Sequence, residues 1–233
     1  MSVTKYPVRP VLGHGSLQVR DVLGTDLSVI NAARVSYGKY HEVLEPRDER
    51  LLRYLIKNHH FSPFRHCMVS FHVKCPIFVQ RQFWKHLIGC EYTFKDTGYN
   101  EISGRYIELK QCYEPSTFRK QAKVNKQGSE GEIEKEKETE VVGIWRKMVT
   151  ESIKAYEKLL ELGVCKEQAR GILPLNVYTE FIWTASFQAI MNFIELRSEK
   201  HAQYEIRKYA EEMKEEMTRL YPLSVKCWLE PKD

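Results

Sequence analysis

Residues 67–74 alternate without a break. Cys67, Val69, Phe71 and Val73 occupy one set of positions, and Met68, Ser70, His72 and Lys74 the other. Only an extended chain has a side-chain period of two, so the pattern predicts a strand whose first set faces a core. Two further segments read as strands. Residues 16–23 place Leu17, Val19 and Val22 at usable spacing, and residues 172–184 are rich in β-branched and aromatic side chains. Residues 1–15, with Pro7, Pro10, Gly13 and Gly15, read as an irregular entry.

The remaining apolar spacing is helical. Leu51, Leu52, Leu55 and Ile56 form a stripe over residues 46–58. Gly24-Thr25-Asp26 offers a turn and an N-cap ahead of a short helix over 27–33. Pro76 suits a first helical turn, so a helix follows the central strand. A long helix is predicted over 141–162 with Gly163 as its stop, a short one over 166–170, and two more over 185–198 and 201–221. Residues 121–140 are charged and nearly devoid of apolar groups, and are expected to form a flexible insert within a single domain spanning 1–233.

Composition excludes several classes. A hydrophobic content of 42% fits a globular chain, and no apolar run approaches the length of a membrane span. The first residues contain no apolar signal region, so cytoplasmic residence is expected. The six cysteines form no C-x-x-C pair and read as reduced thiols, Cys67 and Cys75 on one side of the strand. His59, His60 and His66 match no common zinc spacing, so no metal is expected. The net charge of +5 comes without a basic repeat or nucleic-acid motif, so no nucleic-acid partner is expected.

Chemistry concentrates between Arg81 and Tyr106. Gln82, Lys85 and His86 are expected to share the face of a helix end, and Glu101, Ser103 and Arg105 to alternate onto one side of an extended segment. An amide, an amine and an imidazole opposite a carboxylate, a hydroxyl and a guanidinium suit a planar, anionic small molecule. The same residues also read as a solvated helix end and an ordinary turn with a salt bridge, and the residues alone leave both readings open.

The wider set of blocks resembles the flavin-dependent thymidylate synthases of the ThyX family. Asn100-Glu101-Ile102-Ser103-Gly104-Arg105-Tyr106 matches that family's signature in full. Ser62-Pro63-Phe64-x-His66, Arg81-Gln82, Ala169-Arg170-x-x-Leu173-Pro174, Met191-Asn192-Phe193, Leu196-Arg197 and Ala202-Gln203 match its flanks in order. Three features depart from it: Lys85-His86-Leu87 replaces Arg-His-Arg, the loop over 90–98 is long, and Ser186 and Gln188 stand where Asn and Arg are common.

The resemblance implies an α+β fold, a mainly antiparallel sheet packed with helices, and a homotetramer with active sites between subunits. It implies methylation of dUMP with methylenetetrahydrofolate and NADPH as co-substrates and FAD as cofactor. Arg197 corresponds to the catalytic residue that polarises the pyrimidine. Gln82, Lys85, Glu101, Ser103, Gly104, Arg105, Arg170, Arg197 and His201 correspond to dUMP-binding positions. Ser36, Ser62, Lys85, His86, Leu87, Glu101, Ser186, Gln188 and Asn192 correspond to flavin-binding positions. The competing readings are a methylase of UMP or another pyrimidine nucleotide, a weakly active nucleotide-binding relative, and a helical oligomerisation module.

Overall fold

The computed structural model describes residues 6–86, 91–93, 96–124 and 127–230. Strands β1 (Arg9–Val11) and β2 (Gly15–Leu23) are followed by α1 (Asp26–Arg34), α2 (Asp48–Lys57), β3 (Met68–Pro76) and α3 (Ile77–Phe83). Short strands β4 (Glu91–Thr93), β5 (Asp96–Thr97), β6 (Tyr99–Glu101), β7 (Arg119–Gln121) and β8 (Ser129–Glu132) come next. The chain then forms α4 (Lys135–Glu161), α5 (Lys166–Ala169), β9 (Tyr178–Ser186), α6 (Phe187–Arg197), α7 (Tyr204–Leu220) and α8 (Pro222–Leu229).

The main sheet is antiparallel, in the order β1-β2-β3-β9-β6. The alternating segment supplies its middle strand. Val69, Phe71 and Val73 are fully buried opposite Ala185, Trp183 and Phe181. Cys67 and Cys75 are buried on the same side. Helices α6, α7 and α8 bring Phe193, Tyr209, Met213 and Trp228 into the same core.

Phe83 ends α3 inside this core. It stacks on Phe193 at 4.7 Å and meets Phe181, Trp183 and Tyr209 edge-on. The Tyr99 hydroxyl donates to the Phe83 carbonyl at 2.9 Å, which ties β6 to the end of α3.

Several boundaries differ from those the sequence predicts. Residues 173–177 are not strand: the carbonyls of Leu175 and Val177 accept from the Phe78 and Ile77 N–H groups, so this segment caps α3 instead. The predicted alternation of Glu101, Ser103 and Arg105 fails because β6 stops at Glu101 and the chain turns, with Tyr106 N–H donating to Ser103 O. Helix α3 also stops before Lys85 and His86. The charged stretch 121–140 carries regular structure at both ends: β7 pairs with β8, and α4 begins at Lys135. Opposite charges there lie close enough to pair, with Lys120 Nζ 3.2 Å and Lys137 Nζ 3.3 Å from Glu134.

Strand β1 and helix α8 have no counterpart in the sequence reading. The start of α8 is held by the buried Asp26, whose two carboxylate oxygens accept from Leu223 N–H at 3.0 Å and Ser224 N–H at 2.8 Å. Those donors are orphans of the helix N-terminus, and a carboxylate satisfies both. Asp26→Ala is expected to lower stability by about 2–3 kcal/mol. Urea denaturation checks this, and the lost hydrogen-exchange protection should concentrate in α8.

Candidate active site

A cleft of about 800 Å³ opens where α3, the turn after β6 and the segment after α5 converge. Glu101, Ser103, Gly104 and Arg105 line it from the turn, Arg170 from the end of α5, and Arg81 from the last turn of α3. Ile77, Leu109, Leu173, Leu175 and Val177 form its apolar wall, and Glu167 also borders it.

The backbone explains this convergence. Pairing of β6 with β9 continues one residue beyond the strand through Ile102 N–H to Glu180 O at 2.9 Å, which fixes the base of the turn. The Glu101 carboxylate accepts from the hydroxyl of buried Thr179 on β9. Lys166 Nζ donates to Tyr106 O at 3.2 Å, so α5 is held against the same turn. Gly104 is buried, and a Cβ there would stand 3.3 Å from both Arg170 Cδ and Leu109 Cδ1. Glycine therefore lets the Arg170 stem lie against the turn backbone. The result is three guanidiniums, a hydroxyl and a close-approaching backbone around one apolar-walled space. That donor set suits a phosphate attached to a flat ring.

Arg81 is a cleft residue to which the sequence reading gives no role. Its signal was the four-residue spacing from Ile77, which puts both on one face of α3.

A second cluster forms at the junction of α3 and α6. Arg197, on the last turn of α6, donates from Nε to His86 Nε2 at 3.1 Å. The His86 ring meets Phe193 edge-on at 4.9 Å. Burial, and then the Arg197 charge, lower the His86 pKa to about 4. His86 is therefore neutral at pH 7, with Nε2 the acceptor and the proton on Nδ1. The two terminal nitrogens of Arg197 take no partner among the described residues. Gln82 belongs to this side too, and its Nε2 donates to Gln203 Oε1 at 2.6 Å. Lys85 and His201 are exposed and do not line the cleft.

The positions expected to contact flavin are dispersed over the single chain. Ser36 is exposed, with its hydroxyl donating to Ala33 O at 3.0 Å. Beside it lies a recess lined by Arg34, Lys39, His41 and Arg47. Ser62 is exposed and Asn192 half-buried. Gln188 is buried and accepts from Arg65 Nε at 2.7 Å. Ser186 is buried as the N-cap of α6, its hydroxyl accepting from Ala189 N–H. Leu87 lies outside the described residues. The hydroxyls, amide and cations available match the needs of a dinucleotide with a pyrophosphate, so the residues fit such a cofactor in kind.

The histidine-rich segment packs on aromatic neighbours, with His59 edge-on to Phe61 and His60 edge-on to Tyr54. Among the described residues no helix is long and apolar enough to cross a membrane.

Comparison with known proteins agrees with this geometry. The family model described as thymidylate synthase complementing protein (Thy1) matches residues 19–223. A flavin-dependent thymidylate synthase of Thermus thermophilus is 44% identical over 216 residues, covering 92% of this chain and 76% of that protein. One from Thermosipho melanesiensis is 43% identical over 201 residues, covering 86% and 84%. Among solved structures, the UMP/dUMP methylase PolB of Streptomyces cacaoi, bound to 5-Br dUMP, superposes with a TM-score of 0.80 at 28% identity, covering 92% of this chain and 94% of that one. With a matching family model over most of its length and a fold and cleft to go with it, the chain belongs to the Thy1 family of thymidylate synthase complementing proteins.

Proposed function

We propose that this chain is a flavin-dependent thymidylate synthase, methylating dUMP to dTMP with methylenetetrahydrofolate as carbon donor and NADPH as reductant. The observation that carries the reading is the cleft in which Arg81, Arg105 and Arg170 surround Ser103 and Gly104. The dUMP phosphate is held there by charge-assisted donors from Arg105 and Arg170, the Ser103 hydroxyl and the backbone at Gly104. Glu101 and Gln82 address the sugar and base, and His201, which does not line the cleft within one chain, is assigned to the nucleotide end of a site completed by a second copy. FAD, when bound, supplies the electrons that NADPH delivers. Ser36, Ser62, Lys85, His86, Leu87, Glu101, Gln188 and Asn192 are the residues we assign to holding it.

Arg197 carries the chemical role. C5 of uracil is a poor nucleophile, and electron density in the ring must rise for it to attack; a cation beside N3 and its flanking carbonyls stabilises the negative charge that develops there. A guanidinium stays charged at every working pH and offers planar paired donors. The neutral His86 takes only the Nε–H of Arg197, so the remaining two nitrogens are left for a substrate carbonyl. His86 thus orients the cation without competing for its charge.

The dispersal of Ser36, Ser62 and Asn192 away from the cleft supports a site completed between copies of the chain. The exposed apolar run of Val35, Tyr37, Tyr40, Val43 and Leu44 beside Ser36 supports a covered face there, in a homotetramer. The buried thiols Cys67, Cys75 and Cys227 support a reducing, cytosolic setting. The likeness to a UMP/dUMP methylase favours one second reading, in which UMP is also accepted.

Three outcomes check the proposal. Arg170→Met is expected to weaken dUMP binding about tenfold to a hundredfold, the loss of one charge-assisted contact; calorimetric titration of dUMP and UMP measures this and fixes the substrate. Arg197→Ala is expected to abolish tritium release from 5-labelled dUMP while leaving the flavin absorbance of the purified protein in place, and near-normal turnover would sink the assigned role. His86 supplies the pH test. Its pKa is held near 4 in the folded chain, against 6.5 in an unconstrained histidine, so the unfolded chain binds more protons between those values. The stability associated with a neutral His86 is complete above about pH 6.5 and declines as pH falls towards 4. Melting curves of wild type and His86→Gln should therefore converge as the buffer is acidified through that window.

A further inference from the structure

The N-terminus of α7 carries a carboxylate that the mechanism above does not use. Glu205 is 3% exposed. Its Oε1 accepts from Arg119 Nη2 at 2.8 Å and lies 3.4 Å from the Tyr113 hydroxyl. Its Oε2 accepts from Gln203 Nε2 at 2.9 Å. Gln203 Oε1 in turn accepts from Gln82 Nε2 at 2.6 Å. Arg119 is itself fixed: Nε donates to Ser129 Oγ across the β7–β8 hairpin, and its guanidinium lies 4.7 Å from the Tyr204 ring.

The chemistry of these groups sets a direction along the chain. An ionised carboxylate only accepts, so Glu205 forces the NH₂ of Gln203 towards itself. The carbonyl oxygen of Gln203 must then face Gln82. An oxygen there accepts and does not donate, so Gln82 must turn its NH₂ inward. The acceptor oxygen of Gln82 is left over, with no partner among the described residues. An amide otherwise presents either end at similar cost, and here a buried charge two residues removed decides between them.

We infer that Glu205, acting through Gln203, is a positioning residue that holds Gln82 with its carbonyl oxygen outward, to accept a hydrogen bond from a donor group of the bound nucleotide. The donor is a sugar hydroxyl or a base N–H. The hairpin's Arg119 donates to Oε1 of the carboxylate and leaves Oε2 to Gln203. The inference rests on the proposed pyrimidine-nucleotide site and adds to it the polarity of one contact.

The test is a double-mutant cycle read by nucleotide affinity in the full chain, using dUMP as the probe. Glu205→Gln preserves shape but removes the acceptor-only constraint, and is expected to weaken dUMP binding about three- to tenfold, the scale of one neutral hydrogen bond. In a Gln82→Ala background the same substitution is expected to have no further effect on binding. A merely structural Glu205 would weaken binding equally in both backgrounds, and that additivity would overturn the inference. If Glu205→Gln fails to fold, Arg119→Met in the same two backgrounds gives the same two outcomes. Analogues identify the donor: the dependence on Glu205 should vanish with either N3-methyl-dUMP or the 3′-deoxy nucleotide, and persistence with both overturns the inference. Wild type that binds no pyrimidine nucleotide would remove the functional reading as well, whereas binding wild type with additive variants removes only the relay.

Discussion

The burial of Phe83 is the contact on which the rest of the structure depends. This ring ends a helix, and helix ends are usually solvated. Here it is enclosed by Phe181 and Trp183 of β9, Phe193 of α6 and Tyr209 of α7. A fully buried aromatic ring contributes on the order of 2–3 kcal/mol from area alone, and more from aromatic geometry. Because Phe83 is fixed, its sequence neighbours are fixed as well. Arg81 lines the cleft and Gln82 reaches Gln203, while His86 sits on Phe193 within reach of Arg197. The Tyr99 hydroxyl then fastens β6, and with it the turn at 103–105, to the same point. Two polar clusters therefore share one apolar anchor.

What could be read from the sequence divides along physical lines. The strict alternation of residues 67–74 specified β3 because one of its faces is wholly buried, and a period of two has no helical equivalent. The five residues from Glu101 to Arg105 are contiguous, so their presence together in the cleft follows from local chain geometry, even though the chain turns there and does not extend. Leu173-Pro174 misled as a strand start. Just after it the carbonyls of Leu175 and Val177 cap α3, a tertiary use that leaves no periodic trace. Helix α8 was missed for a related reason: Asp26, which caps it, lies at the other end of the chain.

The charged stretch 121–140 shows the limits of composition. It has too little apolar surface for a core of its own, yet it supplies β8, which pairs with β7 at its border. The hairpin is tied down through its own first residue, Arg119, which pairs with the buried Glu205 of α7. A few ionic contacts to an existing domain can thus organise a segment whose own sequence argues for none. Glu205 left no sequence signal because Arg119 and Tyr113, with which it pairs, are distant in sequence.

The pairing of β3 with β9 has a consequence in time as well as in space. Met68 is opposite Ser186 and Pro76 opposite Tyr178, so more than a hundred residues separate the two halves of the sheet's centre. A ribosome adding about 5–20 residues per second needs on the order of ten seconds to cover that distance. Throughout that interval β2 and β3 can pair with each other, but the other edge of β3, a row of unpaired N–H and C=O groups, remains open. The nascent chain must keep that edge from other strands until β9 emerges, which makes its synthesis the stage at which this protein is most exposed to misassembly.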